Sequence, residues 1–325
     1  MAEVLTAAWL GCRSARRSRL RSCQPRALAA RRGLPRTRRM DVEMRIVKRV
    51  TDVREQIIVQ RSLQRTIGFV PTMGAFHEGH LSLMRRARQS CGFVVVSVFV
   101  NPAQFGPGED FERYPRTLQD DCAKAEQVGV DLLFAPEAAE LYPEGFSTYV
   151  DPGKIGEILE GEHRPGHFRG VATIVAKLLN IVTPDQVFLG LKDYQQLAVV
   201  RNLVRDLDMP VQTVPMPTVR ENDGLAMSSR NVYLSPEERR AAVVLRRALR
   251  EAGKLFENGE ESVAALEMAM RRILDSEPLA RVDYAVVLDA ETLEAIYTLS
   301  SRAVALVAVR IGETRLIDNL ALGKT

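Results

Sequence analysis

The chain has 325 residues, of which 46% are hydrophobic and 26% charged, the composition of a folded globular protein. It contains no run of about 18 apolar residues, so no membrane-spanning helix is expected. The formal net charge of +4 comes from residues 1–40, which contain eleven arginines and one acid; the rest of the chain has 34 basic and 40 acidic residues. An acidic body of this kind does not suggest a nucleic-acid surface.

Residues 1–43 form an extension that is rich in Arg and Ala and poor in acids. Three interpretations of it stay open: a mitochondrial transit peptide, a basic disordered arm, or a mis-assigned start, with translation beginning at Met40 or Met44. The four cysteines include no CxxC pair, so neither a zinc site nor a disulfide framework is indicated. A reducing compartment follows, and we expect the cytoplasm, with the mitochondrion as the alternative if the extension is a transit peptide.

Strand and helix patterns alternate from residue 44 to about residue 218. The stretch "MRIVKRV" at 44–50 is typical of a first strand, and "FVVVSVFV" at 93–100 is apolar almost throughout, like a parallel strand covered on both faces. Further strands are predicted at 66–70, 131–134, 186–189 and 211–214, and helices at 81–89, 118–128, 171–182 and 194–207. This alternation predicts an α/β fold with a parallel sheet and helices on both of its faces.

The pattern changes at the polar turn "RENDG", residues 220–224. Two amphipathic helices are predicted beyond it, at 236–258 and 262–275, and Ser235 with Glu238 is expected to form a capping box at the start of the first one. Antiparallel strands are predicted at 282–288, 303–311 and 315–317. The extension is therefore expected to precede an α/β domain at 44–220 and a smaller α+β domain at 221–325.

Two of the four histidines, His77 and His80, lie in "PTMGAFHEGH" at 71–80, where a predicted strand gives way to a helix. The free N–H groups and partial positive charge of a helix N-terminus suit phosphate, and Gly74 and Gly79 allow a ligand close to the backbone. Histidines three residues apart share one helix face. We therefore expect a phosphate site here rather than two capping histidines on a surface turn.

Four later segments also have the chemistry of a ligand site. Asn101 and Gln104 in "FVNPAQF" follow the strongest predicted strand, where open α/β sheets bind ligands. Asp120 and Asp121 are candidates for Mg²⁺, which needs only one or two carboxylates beside phosphate oxygens, although a solvated helix face fits them equally well. The other three segments are "GEHRPGHFRGV" at 161–171, "GLKDYQQL" at 190–197 and "GLAMSSRNVYLS" at 224–235.

Each of these last three segments has groups that could bind an anion, and each could also be an ordinary surface segment. The first is a glycine-rich loop with Arg164 and His167, either a lid over an anionic ligand or a flexible polar loop. Lys192 is a point charge suited to phosphate. Arg230 and the two hydroxyls before it would wrap a triphosphate at the domain junction, although surface Lys and Ser are usually only solvated.

Together the segments "PTMGAFHEGH", "VNPAQF", "RPGHFRGV", "KDYQQL" and "MSSRN" resemble the pantothenate synthetase (pantoate–β-alanine ligase) family over residues 44–325. The resemblance implies a Rossmann-like domain that binds ATP and pantoate, a C-terminal lid, a homodimer, and a two-step reaction through a pantoyl adenylate that releases AMP and pyrophosphate. "HEGH" and "MSSR" resemble the "HIGH"-type and "KMSKS"-type motifs of the wider nucleotidyltransferase superfamily.

The resemblance also implies roles for single residues. His80 is the expected catalytic acid, with His77 beside it, and Asp120 matches a position associated with Mg²⁺. The expected substrate residues are Gln104, Gln196, Asn101, Arg164 and His167. The expected ATP contacts are Met73, Gly74, Ala75, Phe76, His77, Glu78, Gly79, His80, Gly190, Leu191, Lys192, Asp193, Val219, Met227, Ser228, Ser229 and Arg230.

One position departs from the family pattern: Leu191 stands where the family usually has an acid, so its side chain supplies no carboxylate contact. The first segment alone would also suit a nucleotidyltransferase with a phosphorylated acceptor, or a nucleotide-binding protein without catalysis. The glutamines Gln104 and Gln196 favour a small hydroxy-acid carboxylate as the acceptor, and His77, His80 and Lys192 favour catalysis.

Overall fold

The computed structural model describes residues 43–299 and 302–323. The predictions for the extension at 1–42 lie outside the described residues. The described residues belong to one compact unit, and this unit contains two sheets. None of the described helices is long and apolar enough to cross a membrane.

The first sheet has six strands in the order β1-β4-β3-β2-β5-β6, and every pairing is parallel. This confirms the predicted α/β class. The central strands are buried on both faces, which is why they appear in the sequence as continuous apolar runs. The strands are β1 (Arg45–Val47), β2 (Ile67–Thr72), β3 (Phe93–Val98), β4 (Leu132–Phe134), β5 (Gln186–Gly190) and β6 (Gln212–Met216).

Helices cover this sheet, and three more helices among the described residues follow it in the smaller second part of the chain. The most buried is the one at 167–182, which is apolar nearly all round, as expected of a helix inside a core. The helices are α1 (Val50–Ser62), α2 (Glu78–Ser90), α3 (Leu118–Gln127), α4 (Ala138–Leu141), α5 (Glu160–His163), α6 (His167–Val182), α7 (Tyr194–Asp206), α8 (Pro236–Ala241), α9 (Val244–Glu257) and α10 (Val263–Asp275).

The strand order reverses direction between β2 and β5, which are neighbours. From β2 the chain goes through α2 to β3 on one side, and from β5 it goes through α7 to β6 on the other side. At such a switch point the two connections separate and leave a crevice outside the carboxyl ends of the strands. The topology therefore places the start of α2 and the turn after β5 at the mouth of one crevice.

The second sheet has three antiparallel strands, β7 (Ala280–Asp289), β8 (Ala303–Ile311) and β9 (Thr314–Leu322). Its core is shared with α9 and α10, so a smaller α+β part follows the parallel sheet as predicted. Strand β9 is longer than the predicted 315–317, and its far end reaches the turn after β5 through Asn319.

Two local predictions need correction, and one helix was not predicted. The helix expected at 236–258 is interrupted between α8 and α9, although its capping box is present: the Ser235 hydroxyl accepts from the Glu238 amide and Glu238 accepts from the Ser235 amide. Helix α1 was not predicted, because its apolar residues do not share a face: Ile57 is buried whereas Ile58 is 68% exposed. The expected glycine-rich loop at 161–171 consists mostly of α5 and the first turn of α6.

Candidate active site

A cavity of about 1010 Å³ lies at the crevice between β2 and β5 and extends to β9. It gathers residues from all five sequence segments that carried ligand chemistry. The predicted site residues that line it are Met73, His77, Gly79, His80, Asn101, Gln104, Arg164, His167, Gly190, Lys192, Asp193, Gln196, Val219, Met227, Ser228, Ser229 and Arg230.

The other predicted site residues do not line the cavity. Two of them shape the turn before α2, because Gly74 and Ala75 have φ values of 87° and 52°. Phe76 lies in the hydrophobic core, and Glu78 pairs with Arg85 on the surface. The remaining two are Leu191, which packs against the main core, and Asp120, which is exposed on α3.

The two histidines cap the N-terminus of α2. The His77 Nδ1 accepts a hydrogen bond from the Gly79 amide at 3.1 Å, and the His80 Nδ1 accepts one from the His77 amide at 3.4 Å. The two ring centroids are 4.2 Å apart. A backbone amide can only donate, so neither Nδ1 carries a proton, and a neutral ring must carry its proton on Nε2. The cap thus leaves two Nε2–H donors at the edge of the cavity.

Both rings are neutral at pH 7. Desolvation and the charge of Lys192 lower the pKa of His77 to about 4. Desolvation and the neighbouring His77 lower the pKa of His80 to about 3. The positive end of the helix acts in the same direction. The site therefore offers hydrogen-bond donors rather than permanent cations at this helix terminus.

The turn before α2 is held by Asp121, which is fully buried. Its two carboxylate oxygens accept from the amides of Ala75 at 2.9 Å and Phe76 at 2.6 Å, and the Thr117 hydroxyl donates to it at 3.2 Å. Lys124, one turn further along α3, donates to the Phe76 carbonyl. Asp121 therefore has a structural task. Asp120 is exposed on the same helix and does not line the cavity, and its role toward Mg²⁺ stays a prediction.

The turn after β5 carries Lys192 into the cavity. Its Nζ lies 3.4 Å from the Asp193 carboxylate. Asn319 of β9 donates from its side-chain amide to the carbonyls of Leu191 and Lys192, both at 2.8 Å. The second sheet therefore holds the backbone of the turn that presents Lys192.

The loop at 227–230 is tied to the segment after β3. Arg230 makes two hydrogen bonds to the Asp110 carboxylate, at 2.8 and 2.9 Å, and the Ser229 and Tyr114 hydroxyls are 3.0 Å apart. Burial alone would raise the pKa of Asp110, but the hydrogen bonds and charge of Arg230 outweigh it and the pKa is lowered. Arg230 is therefore already paired in this structure, and a bound phosphate would compete with Asp110 for it.

His167 lines the cavity and binds two other residues of its wall, Gln104 and Arg164. Its Nδ1 donates to the Gln104 carbonyl at 2.8 Å and its Nε2 accepts from Arg164 at 3.1 Å; Arg164 also pairs with Glu109. Desolvation and the charge of Arg164 lower the pKa of His167 to about 4. With both ring nitrogens engaged, His167 positions Gln104 and Arg164.

Sequence reasoning missed several residues that organise the site. Tyr114 and Asp110 lie just beyond the segment "FVNPAQF", and no local pattern marks them as partners of the loop at 227–230. Asn319 lies in an ordinary strand more than a hundred residues from Lys192. Only the three-dimensional contacts identify such residues.

The site is that of a nucleotide-binding α/β enzyme: a Rossmann-like parallel sheet with histidine donors at a helix N-terminus, a lysine on the neighbouring turn, and a loop with two hydroxyls and an arginine. Comparison with known proteins identifies the family. The family model for pantoate-beta-alanine ligase matches residues 45–321.

Individual relatives agree with that family. The pantothenate synthetase of Heliobacterium modesticaldum is 54% identical over 279 residues, which are 86% of this chain and 99% of the relative. The crystal structure of pantothenate synthetase from Thermus thermophilus has a TM-score of 0.82 at 50% identity and covers 86% of this chain and 100% of that one. The chain belongs to the pantoate–β-alanine ligase family.

A third relative was solved with ligands. The pantoate-beta-alanine ligase of Francisella tularensis, complexed with beta-gamma ATP and beta-alanine, has a TM-score of 0.69 at 35% identity and covers 85% of this chain and 97% of that one. The family resemblance found in the five segments is thereby confirmed.

The lowered histidine pKa values predict how stability depends on pH. Unfolded histidines take up protons near pH 6.5, whereas His77, His80 and His167 resist protonation until about pH 4 or below. The free energy of unfolding should therefore fall as the pH falls from 6.5 to 4.5, by at most about 1.4 kcal/mol per pH unit for each histidine. Urea unfolding at several pH values measures this dependence. His80→Gln should reduce the slope of the free energy of unfolding against pH. An equal slope in that variant would contradict the prediction.

Neighbouring carboxylates on α3 offer a matched pair of substitutions. Asp121→Asn replaces one of two acceptor oxygens by a donor that faces a backbone amide, and we expect a loss of about 1–3 kcal/mol in the free energy of unfolding together with reduced activity. Asp120→Asn, on the exposed face, should change stability by less than about 0.5 kcal/mol. A raised Mg²⁺ requirement in Asp120→Asn would instead support the metal role that the sequence predicted for Asp120.

Proposed function

We propose that this chain joins pantoate to β-alanine in an ATP-dependent reaction that yields pantothenate, AMP and pyrophosphate through a pantoyl adenylate. Membership of the pantoate–β-alanine ligase family over residues 45–321 carries this conclusion. The geometry agrees with it, because one cavity is lined both by His77, His80, Lys192 and Arg230 and by Gln104 and Gln196.

The chemistry requires two steps because a carboxylate has no usable leaving group. In the first, a pantoate carboxylate oxygen attacks the α-phosphorus of ATP, and the bond from that phosphorus to pyrophosphate breaks. In the second, the amine of β-alanine attacks the acyl carbon, AMP leaves with the oxygen it received, and the amine loses a proton. A cavity that excludes water protects the adenylate between the steps.

The histidine pair acts on the phosphates. The Nε2–H groups of His77 and His80 donate to phosphate oxygens, and these hydrogen bonds strengthen as negative charge moves onto the leaving pyrophosphate. His80 is neutral in the ligand-free cavity, with a pKa of about 3. A general-acid role for His80 therefore requires the ATP phosphates first to raise that pKa, as nearby negative charges do.

Lys192 and Arg230 hold the nucleotide from the two other sides. Lys192 approaches as a compact charge at the end of β5, and Arg230 must exchange Asp110 for a phosphate oxygen. This exchange couples nucleotide binding to the segment after β3, which also carries Asn101 and Gln104. Binding of ATP would thus rearrange the region that receives the second substrate.

Magnesium is proposed to enter as part of the substrate, bound to the ATP phosphates. The described residues include no cluster of three or more His, Cys, Asp or Glu side chains fit to hold a metal ion. Asp120 lies outside the cavity lining, and the oxygens of Asp121 are occupied by backbone amides. No step of the proposed reaction depends on a protein ligand to the metal.

Pantoate is placed by Gln104 and Gln196, and β-alanine is placed beside Gln104. The Gln196 amide can both donate to a carboxylate and accept from a hydroxyl, which suits a hydroxy acid, and Gln104 contributes an N–H donor. Arg164 is held within the same wall by Glu109 and His167, so its cationic charge is partly balanced before any substrate binds.

Assembly and compartment stay predictions. We expect a homodimer, which light scattering of the purified protein would show. We expect the enzyme to act in the cytoplasm, with the mitochondrion as the alternative, and mass spectrometry of the mature N-terminus separates the three interpretations of residues 1–43.

An isotope experiment tests the proposed reaction. With pantoate labelled by ¹⁸O at both carboxylate oxygens, each AMP should acquire one ¹⁸O, the other should remain in the amide carbonyl of pantothenate, and pyrophosphate should be unlabelled. A matched reaction without β-alanine should form no more AMP than there are active sites. Formation of ADP, or label in inorganic phosphate, would show attack on the γ-phosphorus and overturn the proposal.

A further inference from the structure

We propose that Tyr142 is a positioning residue: acting through Asn101, it fixes the side-chain amide of Gln104 so that Gln104 presents N–H donors to the acid substrate. The inference deepens the proposed function and rests on it, since Gln104 is there the residue that holds pantoate. Tyr142 itself is not among the residues that line the cavity.

The side chain of Asn101 can adopt only one orientation. Its Oδ1 accepts from the Ala103 amide at 3.3 Å, and its Nδ2 donates to the Gly170 carbonyl at 3.2 Å. A backbone amide only donates and a carbonyl only accepts, so a flipped Asn101 would lose both bonds. At 1% exposure no water would replace them, and the loss would leave buried polar groups unpaired.

The orientation of Asn101 sets that of Gln104. The Asn101 Nδ2 also donates to the Gln104 Oε1 at 3.1 Å. With its oxygen held by Asn101, Gln104 turns its Nε2 toward the Met73 sulfur at 2.9 Å, and both of these residues line the cavity. A ligand therefore meets N–H donors, which recognise the acceptor oxygens of a carboxylate or hydroxyl.

Tyr142 binds Asn101 from outside the cavity lining. Its hydroxyl donates to the Asn101 Oδ1 at 2.8 Å. Burial raises the pKa of Tyr142 to about 12, so the hydroxyl keeps its proton at neutral pH. The ring is held edge-on by Phe146, with centroids 4.9 Å apart, and the Lys177 Nζ lies 5.8 Å from its centroid.

The backbone contact between Gly170 and the turn at Pro102–Gln104 leaves no free space. A Cβ added at Gly170 would lie 2.2 Å from the Ala103 carbonyl oxygen and 2.7 Å from the Gln104 Cα. Helix α6 therefore lies directly on the turn at Pro102–Gln104, and its Gly170 carbonyl is within reach of Asn101 for this reason. The Gln104 carbonyl is bound by His167 from the same helix.

The first test removes one oxygen atom. Tyr142→Phe should raise the KM for pantoate by roughly 3- to 10-fold, the effect of one hydrogen bond, and leave the KM for ATP within about 2-fold. Tyr149→Phe is the matched control, because Tyr149 belongs to the same aromatic cluster and does not line the cavity; it should resemble the unaltered protein. Equal changes in both KM values, or no change in either, would overturn the proposal.

A second test asks whether Tyr142 acts through Gln104. Calorimetric binding of pantoate would be measured for Tyr142→Phe, Gln104→Ala and the double variant. The substitution at Tyr142 should weaken binding in the parent protein and change it less than about 2-fold in the Gln104→Ala background, which is the non-additivity expected of residues in one network. An equal change in pantoate affinity in both backgrounds would contradict a role of Tyr142 that acts through Gln104.

The role of Tyr142 and the proposed ligase reaction can be contradicted independently of each other. If Gln104→Ala binds pantoate as well as the parent protein, the inference fails together with the assignment of Gln104. Labelled AMP and pantothenate formed by the unaltered protein would still support the ligase reaction. Circular dichroism and thermal melting of each variant establish that the comparison is between folded proteins.

Discussion

The active site depends first on the way in which His77 and His80 cap the N-terminus of α2. By accepting from the amides of Gly79 and His77, the two Nδ1 atoms satisfy groups that a helix start leaves unpaired. The same bonds keep Nδ1 unprotonated and leave Nε2–H as the free donor. In the proposed function, the side chains that cap the helix are also the ones that donate to phosphate.

This cap constrains its surroundings. A Cβ at Gly79 would lie 2.8 Å from the His77 ring, so glycine is needed there for the cap itself. The turn before the helix is held by Asp121 from α3, and Lys192 lies close enough for its charge to lower the pKa of His77. The neutral histidines therefore depend on two helices and on the turn after β5.

The second sheet takes part in the site as well. Asn319 holds the backbone of the Lys192 turn, and the neighbouring Asp318 pairs in a bidentate fashion with Arg220 at the junction between the two parts of the chain. Separation of the sheets would release the turn that presents Lys192. The side of the cavity that is proposed to bind phosphate is consequently built from both parts of the chain.

Much of the fold was predictable from local patterns. Strands β2 and β3 are continuous apolar runs, and the start of α2 was marked by glycines and histidines. Helix α1 was missed because its apolar residues do not lie on one face, and the break between α8 and α9 has no Gly or Pro to mark it. The family was recognisable because its five segments are short, ordered and specific.

The finer architecture of the site was not predictable, because it depends on partners that are distant in the sequence. Asp121 was a metal candidate in the sequence, yet its oxygens bind amides 45 and 46 residues away. Asn101 lines the cavity, and its expected substrate role stays a prediction; its amide also binds Tyr142, Gly170 and Gln104. No local pattern shows which polar side chain is already satisfied inside a fold.

The most direct test is nitrogen-15 NMR of the ligand-free protein labelled at histidine, since the chain has only four histidines to assign. At pH 7, His77 and His80 should be neutral with the proton on Nε2, and His167 should be neutral with the proton on Nδ1. Substitution of each histidine by glutamine assigns its signals. An imidazolium at His77 or His80 at this pH, or a proton on either Nδ1, would contradict the account.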